Sequence, residues 1–171
     1  LPPSVSITPV SDRVYRVGGL AGPTTPSGVY VLEVDAAGVA ADDGTPGVSG
    51  LSTEWTVDTT GPRVSAIQEI PTNPRNIVVP SLEVRFSEAI SAESFDYRDV
   101  TLSRDGGPNL ISAEVVVARL GAGLYRVSNF NWVVGLPGQY VFGVSGEGVE
   151  DLVGNVGSES LTRSWTMDIG Q

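Results

Sequence analysis

The chain has 171 residues and a net charge of −10, with 40% hydrophobic residues, 21 Gly, 12 Pro and no Cys. His and Lys are also missing, so all ten basic residues are Arg. These absences exclude Ser-His-Asp and Cys-His nucleophiles, thiolate and imidazole metal sites, Schiff-base and P-loop lysines, and a Lys–Asn isopeptide staple, but leave carboxylate-pair hydrolysis open.

The acidic charge argues against nucleic acid and against anionic membrane surfaces as partners, because both are bound through cations. Apolar runs are far shorter than the roughly 20 residues that span a bilayer, so no membrane insertion is expected. No signal-peptide pattern is present, and a targeting segment is expected to have been removed or to lie outside this stretch.

In chain order, the first strand signals are VSIT (5–8), VYRVGGL (14–20), SGVYVLEV (27–34) and LSTEWTVD (51–58). They are short, rich in β-branched and aromatic residues, and bounded by Gly, Pro or Asp. LEVRF (82–86) alternates apolar and charged residues at the period of a half-buried strand. SEAISAESF (87–95) is the best helix candidate, a Ser ahead of acidic and Ala-rich residues that predicts one or two turns. EVVVARL (114–120), GLYRVSNF (123–130), QYVFGVSG (139–146) and SWTMD (164–168) are strand signals again.

Shifting the chain against itself by 110 residues brings VYRVGGL onto LYRVSNF, SGVYVLEV onto PGQYVFGV and LSTEWTVD onto LTRSWTMD. From Val5 to Asp58 no gap is needed, and 16 of the 54 positions are identical. Self-similarity of this kind marks a repeat. Residues 59–109 have no counterpart ahead of Leu1. The chain therefore reads as the C-terminal half of one repeat (1–58) followed by a complete one (59–171).

About seven strands in some 110 residues predict an all-β fold, an immunoglobulin-like β-sandwich without the disulfide of antibody domains. The expected core is Trp165, Phe86, Val84, Tyr140, Phe142 and Leu161, held by apolar burial alone. Phe130 and Trp132, in the Asn-flanked stretch NFNWVVG, are open to either burial or exposure. A lone half repeat would expose an apolar face and bare strand edges, to be covered by a neighbouring molecule or by the second repeat.

VRFSEAI, SFDYRDVTL, GLYRV, GQYVFGV, GVEDLVGN and WTMD, in this order, resemble the tandem Ig-like repeats of large bacterial surface and secreted proteins of the adhesin type. WTVDTTGPRV is similar to the seam that joins successive repeats in that family. The first copy departs from the pattern with AADDGT where the second has EDLVGN, and the last seam reads MDIGQ. The resemblance implies a non-enzymatic spacer, stalk or adhesin arm at the bacterial cell surface, with Ca2+ at linkers or loops as a feature of some members. Its partners would be neighbouring repeats, copies of the same chain, or a surface glycan or protein. Two other readings stay open: a self-assembling fibre subunit whose broken sandwich is finished by a neighbour, and a carbohydrate-binding module of a secreted enzyme.

The candidate Ca2+ ligands are Asp58 and Asp168 at the two seams, and Glu150, Asp151 and Asn155 in GVEDLVGN. Oxygen-only ligands at short spacing suit this ion, although Asp, Gly and Asn at these positions equally build a turn. Pro62 favours a short, stiff connection. The acidic group Glu88, Glu93, Asp96 and Asp99 reads as a solvated face rather than a hydrolytic pair, since nothing sets a separation. Trp132 and Tyr97 are the candidates for stacking on a carbohydrate.

Overall fold

The computed structural model describes residues 2–170 and divides into two compact units, Leu1–Thr59 and Thr60–Gln171. Both are built from antiparallel strands, with one short 3-10 turn at Tyr97–Asp99.

Unit 1 holds two hairpins. In one, β1 (Ser6–Ser11) pairs with β2 (Val14–Gly18), with a register shift between Pro9 and Ser11. In the other, β3 (Gly28–Val34) pairs with β4 (Leu51–Val57), placing Tyr30 opposite Trp55. Their rings stack at 5.8 Å. Among the described residues of this unit, none is buried.

Unit 2 is a β-sandwich. One sheet has the order β5 (Val64–Ile67), β6 (Ser81–Phe86), β9 (Leu124–Ser128), β8 (Val116–Gly121). The other has the order β11 (Ser160–Met167), β10 (Gly138–Ser145), β7 (Val100–Arg104). The period-2 alternation points one set of side chains inward from each sheet. Leu82, Val84 and Phe86 meet Tyr125 and Val127 on the first sheet, and Leu102, Tyr140, Phe142, Val144, Trp165 and Met167 fill the second. Phe86, Phe95 and Tyr125 pack edge to face, at 5.0 to 6.0 Å, a geometry favoured by the ring quadrupoles.

Of the expected core residues, Trp165, Phe86, Val84, Tyr140 and Phe142 are buried, while Leu161 is half-buried at its edge. The Asn-flanked stretch splits: Phe130 is fully enclosed and Trp132 is 55% exposed. The helix expected over residues 87–95 is absent. Ile90 instead bridges to Asp151, and the Ser91 N–H donates to the Glu150 carbonyl. Burial of Ile90 and Phe95 outweighs the weak local preference for a helix.

Local hydrogen bonds recur 110 residues apart. The Tyr30 hydroxyl donates to the Pro26 carbonyl at 2.7 Å, and the Tyr140 hydroxyl to the Leu136 carbonyl at 2.9 Å. Gly47 N–H to Val39 O and Gly157 N–H to Val149 O are both 2.7 Å. The bridge Ala40–Pro46 matches Glu150–Val156, and the shift at Pro9/Ser11 matches one at Arg119/Gly121.

Candidate functional sites: an acidic loop and a tryptophan cleft

The loop between β10 and β11 is closed at its base, where the Gly146 N–H donates to the Glu159 carbonyl. Val149, fully buried, plugs it into the core. Asp151 follows, 4% exposed, and is the one buried charged side chain among the described residues. Its Oδ1 accepts the Val153 N–H at 2.8 Å and the Asn155 N–H at 2.9 Å, while Oδ2 accepts the Asn155 side-chain amide at 2.7 Å. Burial pushes the carboxyl up, but the Asn155 and Val153 donors outweigh it and hold the group below the usual carboxylate range. Gly61 and Pro62 pack against the same loop. A Cβ at Gly61 would lie 2.1 Å from the Val156 carbonyl oxygen, so only glycine permits this approach.

Asp151 and Asn155 of GVEDLVGN are therefore brought together. Glu150 is exposed, and its backbone does the work there: its N–H donates to Ser94 Oγ and its carbonyl accepts from the Ser91 N–H. Asp168 lies just past β11, where its N–H donates to the Arg75 carbonyl and its Oδ1 accepts from Gly170. Asp58 is exposed just past β4, in unit 1, beside a Thr59 whose N–H donates to Ser27 Oγ. The carboxylate that joins Asp151 within unit 2 is Glu88, with oxygens within 4.8 Å. Sequence reasoning placed Glu88 on a solvated face instead. The missed signal was Ile90, an apolar residue in a polar run whose bridge to Asp151 carries Glu88 along. Two carboxylates supply part of the six to eight oxygens Ca2+ takes.

Of the rest of the acidic group, Glu93 is exposed, while Asp96 and Asp99 have local duties. Asp96 Oδ1 accepts the Arg98 N–H and Asp99 Oδ2 accepts the Asp96 N–H, a reciprocal cap on the 3-10 turn. Arg98 also grips Asp96 through its guanidinium, whose hydrogen bonds hold that carboxyl low, whereas burial pushes Asp99 up. Tyr97 is half-buried beneath the Arg98 guanidinium, 5.9 Å from its ring centre.

The second site is a cleft of about 400 Å3 walled by Arg104, Pro108, Leu110, Trp132, Val133 and Leu136. Phe130 and Val134, both fully buried, anchor the loop that carries Trp132. The indole Nε1 donates to the Asn129 carbonyl at 3.1 Å, which fixes the ring. Tyr97 is not among the walls of this cleft, so the two aromatic candidates do not form one platform.

No protein-family model matches the chain, and no curated protein matches it. Among solved structures it is similar to the N-terminal part of the bacterial S-layer protein SbsC, with a TM-score of 0.43 and 18% identity over 64% of this chain. The match spans about a quarter (24%) of the length of that structure.

Proposed function

We propose that the chain is a non-enzymatic structural segment, a spacer or stalk built of Ig-like repeats, from a bacterial extracellular surface protein. The observation that carries this reading is the recurrence, 110 residues apart, of one set of sequence motifs with one set of hydrogen bonds. A repeated unit whose polar side chains are spent on turns and caps is suited to length, not to turnover. Unit 2 also holds a device suited to load. Residues 73–75, near its start, run parallel to the end of β11: Arg75 N–H donates to Thr166 O, Asp168 N–H to Arg75 O, and Thr166 N–H to Asn73 Oδ1. Tension between the ends of the unit loads these parallel bonds in shear, so several must break together.

Pulling single chains from their termini tests this. Unit 2, Thr60–Gln171, should open in one discrete force peak with a gain of roughly 400 Å, at about 3.6 Å per residue. Asn73→Ala should lower the peak force. Extension without a peak would remove the load-bearing role.

A second reading has its own observation, the exposed and fixed Trp132 over a cleft that also holds Arg104. Indole faces stack on apolar sugar faces, which makes this the place for a surface glycan. Glycan-array binding lost in Trp132→Ala supports a carbohydrate-binding role, and an empty array rejects it.

A further inference from the structure

Unit 1 presents the same inward-facing positions as the second half of unit 2, yet they are open. Tyr15 is 62% exposed where Tyr125 is 2%, Val34 is 52% where Val144 is 1%, and Val39 is 60% where Val149 is 0%. In unit 2 the cover comes from residues 60–110. β6 lies along β9, with Val84 opposite Tyr125 and Leu82 opposite Val127, and β7 lies along β10, with Leu102 opposite Phe142. Phe86 and Phe95 close over the Tyr125 ring.

We propose that the open face of unit 1 is a docking surface for the front half of a further repeat, a segment with the strand pattern of residues 60–110. One of its strands would add along β2 and another along β3, by main-chain pairing at a sheet edge. The inference rests on the repeat architecture and not on the surface role. The front half this chain contains is not the occupant. Each chain holds one front half and two back halves, so exchange between copies bares one face for every face it covers. Face-to-face pairing of two unit 1 copies is opposed by charge. Residues 1–59 hold seven acidic residues and two Arg, net −5, whereas residues 60–110 hold seven and five, net −2.

The register also states what the occupant carries. Arg126 pairs with Glu83 at 2.7 Å, and its counterpart is Arg16, so an acidic residue belongs opposite Arg16. Thr101 sits close beside Gly143, where a Cβ would lie 2.6 Å from its hydroxyl and force that side chain to turn away. The counterpart of Gly143 is Glu33, so the occupant has a small or cationic residue in place of Thr101.

The test joins a second copy of residues 60–110 directly ahead of Leu1 on the full chain, which preserves the 110-residue spacing. Hydrogen exchange and solution mass are then compared with the parent chain. Amides of 14–18 and 28–34 should exchange at least about 100-fold more slowly in a monomeric product. Thr101→Ala in the added copy should deepen that protection, and Leu82→Asp with Phe86→Asp there should abolish it. Unchanged exchange in both the plain and the Thr101→Ala fusions overturns the proposal. So does a parent chain whose mass doubles with concentration while the same amides become protected, since the occupant is then a second copy. Neither result bears on the force peak of unit 2, by which the stalk reading is judged.

Discussion

Trp55 and Trp165 sit in nearly the same words, EWTVD and SWTMD, and each stacks on a tyrosine one strand away, at 5.8 and 5.4 Å. Trp165 is 1% exposed, while Trp55 is half-buried in a unit with no buried residue among those described. Equal local pairing thus coexists with unequal burial. The hairpin and its stacked rings are local properties of the motif; the core is a property of the opposing strands β5, β6 and β7. Hydrophobic stabilisation follows the area removed from water, so the two tryptophans differ in worth although they make the same neighbour contact.

The largest effect that would break this comparison is truncation of the two rings. Trp165→Ala should cost unit 2 about 3–5 kcal/mol, the range for deleting a large buried aromatic. Trp55→Ala should cost unit 1 less than about 1 kcal/mol, as for surface substitutions. Native-state hydrogen exchange of the β3 and β11 amides under denaturant measures both, since Trp55→Ala leaves unit 1 without a tryptophan to follow. Equal losses would mean that unit 1 owns a core of its own.

The turns after β3 and β10 sharpen the contrast. Both keep the Gly-to-Val bond across the loop, but Asp151 is matched by Ala41, and in unit 1 Asp43 accepts the Thr45 N–H instead. Asp151→Ala leaves two backbone donors and an amide without their acceptor in a buried place, and should destabilise unit 2 by about 2–4 kcal/mol. Ala41→Asp in unit 1, open to water, should change little. The carboxyl of Asp151 is held below its ordinary value in the fold. A lowered folded pKa gives stability that is present above the unfolded value, near 3.8, and is lost as pH falls through the folded one. Acid should therefore weaken unit 2 below about pH 4, and Asp151→Asn should flatten that limb of a melting-temperature profile. Asp99, raised by burial, acts with the opposite sign, its cost vanishing as it protonates.

Much of the strand layout was legible because alternation and aromatic content are local. LEVRF lies within β6, and five of six expected core residues are buried. SEAISAESF was misread since its conformation is set by Glu150 and Asp151, some sixty residues away, not by its own propensity. The same distance hid Glu88 from any reading of spacing. Phe130 and Trp132 differ in burial although two residues apart, and no periodicity separates them, because the loop between β9 and β10 has no strand register.

The smallest expected effect concerns Glu88 itself. Two carboxylates within 4.8 Å, one of them buried, repel each other, and a divalent cation of oxygen preference would relieve that repulsion. Ca2+ at millimolar concentration should raise the melting temperature of unit 2 by a few degrees, consistent with a linkage gain of about 1 kcal/mol. Mg2+, which holds its waters more tightly, should do less. The rise should shrink in Glu88→Gln, while unit 1, whose loop has Ala41 in place of Asp151, should not respond through its own loop. An equal rise in the variant would show that the ion acts on the general acidic charge of the chain. In that case the loop is a turn held by Asp151 and Asn155, and its acidity serves the fold alone.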